Sequence, residues 1–170
     1  LGQAMPFHWL DYNASTMSVI LGCEPSFIDT EGVWSNPKFS SVEEVPHVQL
    51  DFSHTYYRIL REMNKRLASR VPADEPITLF AMEGITDIVS SLYGVEEFLM
   101  DMILKPQEVK AAMEQIKRIW IDAFHDFTQI IYTNRNPESG IGWAGIWSPG
   151  TTFPMQEDLT YMISTDMYKE

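Results

Sequence analysis

The 170 residues carry 24 acidic and 12 basic side chains, a net charge of −12, so the surface repels nucleic acid and anionic membranes. With 45% hydrophobic and 12% aromatic content the chain can bury a core, is not disordered by composition, and reads as one domain over 1–170. No run approaches the apolar length of a membrane span, and a single cysteine, Cys23, excludes an internal disulfide; the expectation is a soluble, cytoplasmic protein.

In chain order, 15–21 is a short helix-compatible stretch ended by Gly22, and 24–29 has the pattern of a short strand. Residues 30–50 then read as a long connection with Gly32, Pro37 and Pro46, of the length that usually forms a lid or binding loop. A helix is predicted over about 51–70, with Tyr57, Leu60, Met63 or Asn64 and Leu67 at helical spacing. Pro72 and Pro76 close it, and 77–82 is an apolar run of strand length bounded by Pro76 and Gly84. Short helices follow over 86–92 and 95–104, separated by Gly94. Pro106 then opens a long helix whose stripe is Val109, Met113, Ile116, Trp120, Ala123, Phe124, Phe127 and Ile131. Residues 134–140 break it, 141–147 is a second buried strand candidate, and Ser164 or Thr165 caps a last helix start.

Strands that alternate with helices, without strict two-residue alternation, predict an α/β fold with parallel strands and outer helices. A (β/α)8 TIM barrel takes about 250 residues, so three such strands correspond to part of one. A small open α/β sheet is the alternative, without a Gly-rich phosphate loop to support nucleotide binding. The opening without an initiator Met, and a capped helix start with little chain behind it, lead to the expectation that the natural polypeptide extends beyond both ends.

Four segments carry a resemblance: Ser18-Val-Ile-Leu-Gly-Cys-Glu24, Ile77-Thr-Leu-Phe-Ala-Met-Glu-Gly-Ile-Thr-Asp-Ile88, Tyr93-Gly-Val-Glu-Glu-Phe-Leu-Met-Asp-Met-Ile-Leu-Lys-Pro106, and Glu157-Asp-Leu with Ile163-Ser-Thr-Asp-Met-Tyr168. In this order they resemble the uroporphyrinogen decarboxylase superfamily. That family includes porphyrinogen decarboxylases and zinc-dependent methyltransferases that exchange methyl groups between corrinoid proteins and thiols. The resemblance implies the central portion of a (β/α)8 barrel, truncated at both ends, in an enzyme that is a carboxy-lyase or a methyltransferase.

In the decarboxylases a carboxylate before the Leu-Gly segment stabilises the positive charge of a protonated pyrrole. Counting back from Gly22 without a gap places Asn13 there, with Asp11 the nearest carboxylate; Asn cannot supply the charge, so that reading needs Asp11 to take the role or a small shift in alignment. A family tyrosine falls at Ser90 and a family serine at Asp158. The methyltransferases' His-x-Cys pair and later Cys would lie beyond this chain, which leaves no metal ligand assigned within it. The resemblance thus implies no cofactor for a decarboxylase of a tetrapyrrole, or zinc held outside this segment for a methyltransferase with a corrinoid protein as partner. A non-catalytic binding paralogue is the third reading.

The candidate catalytic residues are Asp11, Glu83 and Asp158, with His8, Asn13 and Trp147 as substrate-binding candidates. Glu83 and Asp158 follow probable strand ends, the face where barrel enzymes keep their chemistry. Each has a competing reading: a turn-forming Asp11, a surface His8, a core Trp147, and a Glu157–Asp158 pair that complements a helix dipole. Unpaired barrel edges would favour association, so a homo-oligomer belongs among the expected assemblies.

Overall fold

The computed structural model describes residues 7–10, 12, 14–28, 32–133, 140–141, 143, 145–148, 150 and 152–169. The order is α1 (Thr16–Ile20), β1 (Glu24–Ile28), β2 (Gly32–Asn36), a 3-10 helix (Val42–His47), α2 (Thr55–Arg70), α3 (Ile85–Tyr93), α4 (Val95–Leu104), α5 (Pro106–Tyr132), β3 (Gly140–Ile141), β4 (Trp147–Ser148), a second 3-10 helix (Asp158–Met162) and α6 (Thr165–Lys169).

The helices lie within a residue or a few of where their periodicity puts them. Pro106 opens α5, because a first-turn position has no N–H bond to lose. Gly94 sits between α3 and α4 at φ +124°, a conformation that a side chain would strain, so one chain segment can end a helix and start the next without a linker. The buried face of α5 is Val109, Ala112, Ile116, Ile119, Trp120, Ala123, Phe127 and Ile131, with Met113 and Phe124 partly covered beside it. At about 1.5 Å per residue α5 is about 40 Å long and spans the molecule's core.

The strands differ from expectation. The 30–50 stretch is not a loop: Gly32–Asn36 returns antiparallel to β1, with Phe27 opposite Val33 and Ser26 opposite Trp34, and the Val42–His47 turn then buries Val42 and Val45. Gly32 is the first residue of the return strand, opposite Ile28, and the β-prone Val33 and Trp34 follow it. Likewise 141–147 is not one strand but the two arms of a short antiparallel hairpin, Gly140 opposite Ser148 and Ile141 opposite Trp147. Among the described residues the strands therefore form two separate antiparallel pairs, in a mixed helix and strand fold that is mostly helical.

The 77–82 run is buried as its composition requires, with Ile77, Thr78, Leu79, Phe80 and Met82 in the interior. It pairs as a parallel bridge from Ile77 to His8, through His8 N–H to the Pro76 carbonyl (2.9 Å) and Thr78 N–H to the His8 carbonyl (2.8 Å), and among the described residues it forms no strand beyond that bridge. An aromatic chain joins this run to α5, to α2 and to the segment before α1: Tyr12 against Phe80 (5.2 Å between centroids), Phe80 against Phe127 (5.0 Å) and Phe127 against Tyr57 (5.2 Å). The Tyr57 hydroxyl donates to Asp126 (2.8 Å), which also pairs with Arg61 (3.1 Å), so the polar tip of the cluster is satisfied. No helix among the described residues is long and apolar enough to cross a membrane.

Phe127 touches both Phe80 and Tyr57, so Phe127→Ala leaves a cavity at the centre of the helix layer. The expected cost is about 3–5 kcal/mol, read as a lower urea midpoint with little change in the slope.

Candidate functional site

Carboxylates and backbone N–H groups meet where the buried 77–82 run turns into α3. Gly84 is the N-cap of α3 and has no side chain with which to cap it. The acceptor comes from far along the chain: Glu157 takes the N–H of Ile85 (2.7 Å) and of Thr86 (3.0 Å), and the Thr86 hydroxyl makes a short bond to the same carboxylate. Gly84 is required for this approach, because a Cβ there would overlap the Gln156 carbonyl and lie 2.6 Å from the Glu157 carboxyl carbon.

The arrangement is reciprocal. Asp87, in the first turn of α3, accepts from the N–H of Asp158 (2.9 Å) and Leu159 (3.1 Å) and so caps the Asp158–Met162 helix. Each helix start thereby lends a carboxylate to the other, and both carboxylates lie where the helix dipole is positive. Phe153 secures the same segment by packing edge-on against Trp120 (5.2 Å), and the Trp143 indole donates to the Pro154 carbonyl (2.7 Å).

Glu83 sits one residue before Gly84 and points the other way. Its two carboxylate oxygens accept from the Ser18 N–H (2.7 Å) and the Ser18 hydroxyl (2.6 Å), and Met17 N–H also bonds it, so Glu83 caps the first turn of α1. Its own carbonyl accepts from the Trp120 indole at 3.0 Å. Burial, aided by the negative charge of Asp87, outweighs the hydrogen bonds from Ser18 and Met17 and pushes the carboxyl up to about 7. Asp87 is raised as well, first by its burial and then by Glu157 and Asp158, against the two N–H bonds it accepts. No Lys, Arg or His forms an ion pair with Glu83, Asp87, Glu157 or Asp158 among the described residues.

The structure brings only part of the expected set together. Glu83 and Asp158 lie at one junction, but Asp158 is exposed and its carboxylate is held by the Gln156 amide (2.7 and 2.8 Å); the inward acid is Glu157. His8 pairs with Glu75 (2.5 Å) and bridges to Ile77, at the opposite end of the buried run from Glu83 and about 20 Å from it at strand rise. Asp11 and Asn13 fall outside the described residues, and between them Tyr12 turns into the core against Phe80. Trp147 pairs through its backbone with Ile141, and its side chain is outside what is described. Ser90 donates to the Asp87 carbonyl within α3 (2.9 Å). Sequence reasoning missed Ser18 and Asp87. An acid three residues into a helix behind a glycine was a legible capping signal for Asp87, whereas nothing local marked Ser18.

Among the described residues no group of three or more His, Cys, Asp and Glu side chains could hold a metal ion, and Cys23 is buried with its thiol pushed up to about 11 by burial and by the Glu83 charge. The site as built can orient a near-neutral carboxyl, hold or release a proton at it, and present helix N–H groups.

The fold and site together define a mixed helix and strand protein with its chemistry-bearing carboxylates where a buried extended run meets a helix. Among solved structures the chain is similar to a methyltransferase from Methanosarcina mazei, with a TM-score of 0.62 and 18% identity over 73% of this chain and 37% of that one. The match thus spans little more than a third of that enzyme's length, and at this identity it shows the fold. No family model matches the chain, and no curated protein matches it.

The Glu83 carboxyl titrates near 7 in the folded chain against 4.5 for an ordinary glutamate, so the native state binds the extra proton between those values. Its contribution to stability is fully present below about pH 4.5 and is lost as the pH rises through about 7, by at most about 3 kcal/mol. Glu83→Gln removes this dependence. The difference in unfolding free energy between wild type and variant should shift toward the variant by up to that amount between pH 4.5 and 8, measured by urea titration at each pH.

Proposed function

We propose that this chain belongs to a methyltransferase that moves a methyl group between a corrinoid protein and a thiol, and that it forms part of a (β/α)8 barrel. The fold it shares with the Methanosarcina mazei methyltransferase is the observation that supports this reading best. The sequence resemblance to the uroporphyrinogen decarboxylase superfamily supplies the reaction class, and within that family the structural likeness favours the methyltransferase branch over the decarboxylases.

In such a transfer the thiol loses a proton to a base, sulfur forms the new bond to carbon, and the electron pair of the broken bond stays with the methyl carrier. Glu83 suits the proton-holding role: it lies at the end of a buried run, Ser18 fixes its orientation, and its carboxyl changes charge near pH 7. Asp11, Asn13 and Trp147 are then the residues assigned to position the substrate, while Asp158 lies exposed beside Gln156 and His8 at the far end of the buried run, both away from the Glu83 carboxyl. Glu157 and Asp87 hold the 156–162 segment against α3. No group among the described residues fits zinc, so the ligands this enzyme class uses would lie outside them, and no step is assigned to a metal.

The test is an assay of the intact polypeptide that carries this chain, with methylcobalamin as donor and a simple alkyl thiol as acceptor. The expected product is the methyl thioether, with Glu83→Gln lowering kcat by about 10²-fold and removing the inflection near pH 7 from the rate profile. Absence of thioether, or decarboxylation of a porphyrinogen by the same protein, would overturn the reading.

A further inference from the structure

The start of α5 and the 155–168 segment border a cavity of about 600 Å³ that Glu83 does not line. Met102 of α4 and the first turn of α3, at Ile85 and Thr86, complete its walls. This volume lies within the roughly 300–1,000 Å³ of small-molecule sites, so its natural occupant is a small molecule and not a helix of another protein. Most of the lining is apolar, and four of the chain's ten methionines, Met102, Met113, Met155 and Met167, take part in it. Met102 and Met113 also pack against the core, whereas Met155 on the 155–168 side is 49% exposed. Unbranched thioether side chains adapt their shape, which suits them to a flexible aliphatic guest.

Among the described residues four charged side chains line the cavity, Lys110, Glu114, Lys117 and Glu157. Three of them are engaged. Glu157 accepts from the N–H groups of Ile85 and Thr86 and from the Thr86 hydroxyl, and Glu114 pairs with Lys117 and Arg118. Lys110 forms no ion pair among the described residues. It belongs to the apolar wall itself, since Pro106, Lys110, Met113 and Lys117 recur at steps of four, three and four. At 3.6 residues per turn these four positions fall within about 60° of one another around α5. The aliphatic stem of a lysine on such a row covers apolar surface while its ammonium stays at the mouth.

We propose that this cavity binds a small aliphatic carboxylate, with its chain against the methionines and its carboxylate on Lys110. A cationic ligand is not selected, because both acids of the lining already hold donors. The start of α3 does not take the anion either, since Glu157 occupies its first N–H groups and repels negative charge from that side. The charge of the ligand is therefore directed to the α5 row, and one unpaired cation matches one carboxylate. This inference does not rest on the methyl-transfer reading, which concerns Glu83.

The probe is decanoate, titrated calorimetrically into the full chain, with decanol and acetate as controls for the aliphatic chain and the carboxylate alone. The expected result is saturable binding of decanoate, at least tenfold tighter than either control. Lys110→Glu should weaken decanoate at least tenfold and leave decanol unchanged, whereas Met155→Ser with Met167→Ser should weaken both. Lys110 and Met155 are exposed, and circular dichroism with an unchanged urea midpoint verifies that the variants fold. Failure of the wild-type chain to bind decanoate, a control that binds as tightly, or decanoate binding that ignores Lys110→Glu or the methionine pair would overturn the proposal.

Discussion

Three helix starts in this protein, those of α1, α3 and Asp158–Met162, are completed by carboxylates from distant parts of the chain. An α-helix leaves its first N–H groups without partners, and the usual remedy is a local Ser, Thr, Asp or Asn. Here α1 and α3 have no side-chain cap of their own. Glu83 takes that role for α1 from 65 residues away, and Glu157 takes it for α3 across 71 and 72 residues. Each bond therefore completes a helix and fixes the tertiary position of a segment, so local and global structure fail together when one is lost.

This construction concentrates negative charge. Glu83, Asp87, Glu157 and Asp158 share one junction without a cation partner among the described residues, and Glu83 and Asp87 rise above the ordinary carboxylate range first because they are buried and then because these acids face one another. Backbone N–H groups and helix dipoles offset part of the repulsion, since each partial positive charge is fixed in place by the fold. The same physics makes Glu83 chemically useful: a carboxyl poised near neutrality, oriented by Ser18 and placed at the end of a buried run, can change charge without rearranging its surroundings.

What was legible in the sequence follows from range. The helices were, because periodicity, Pro106 and Gly94 are local signals, and α5 shows its buried stripe directly in residues 109–131. The hairpins were not. Gly32 read as part of a loop, and the pairing of Phe27 with Val33 depends on a turn that composition alone did not specify. Of the candidate site residues, Glu83 was found because a charge beside an apolar run needs a partner, while the identity of that partner, Ser18, is a tertiary fact. Asp158 was named where its neighbour Glu157 does the inward work, since sequence adjacency cannot tell which of two acids a turn directs inside.

The most direct measurement of this account is amide hydrogen exchange on the wild-type chain, resolved by residue. Long-range capping predicts that the N–H groups of Ser18, Ile85, Thr86, Asp158 and Leu159 are protected to nearly the level of the α5 interior, because opening any of them requires tertiary separation. Exchange of these five amides at the rate of exposed loop N–H groups, with α5 still protected, would contradict it.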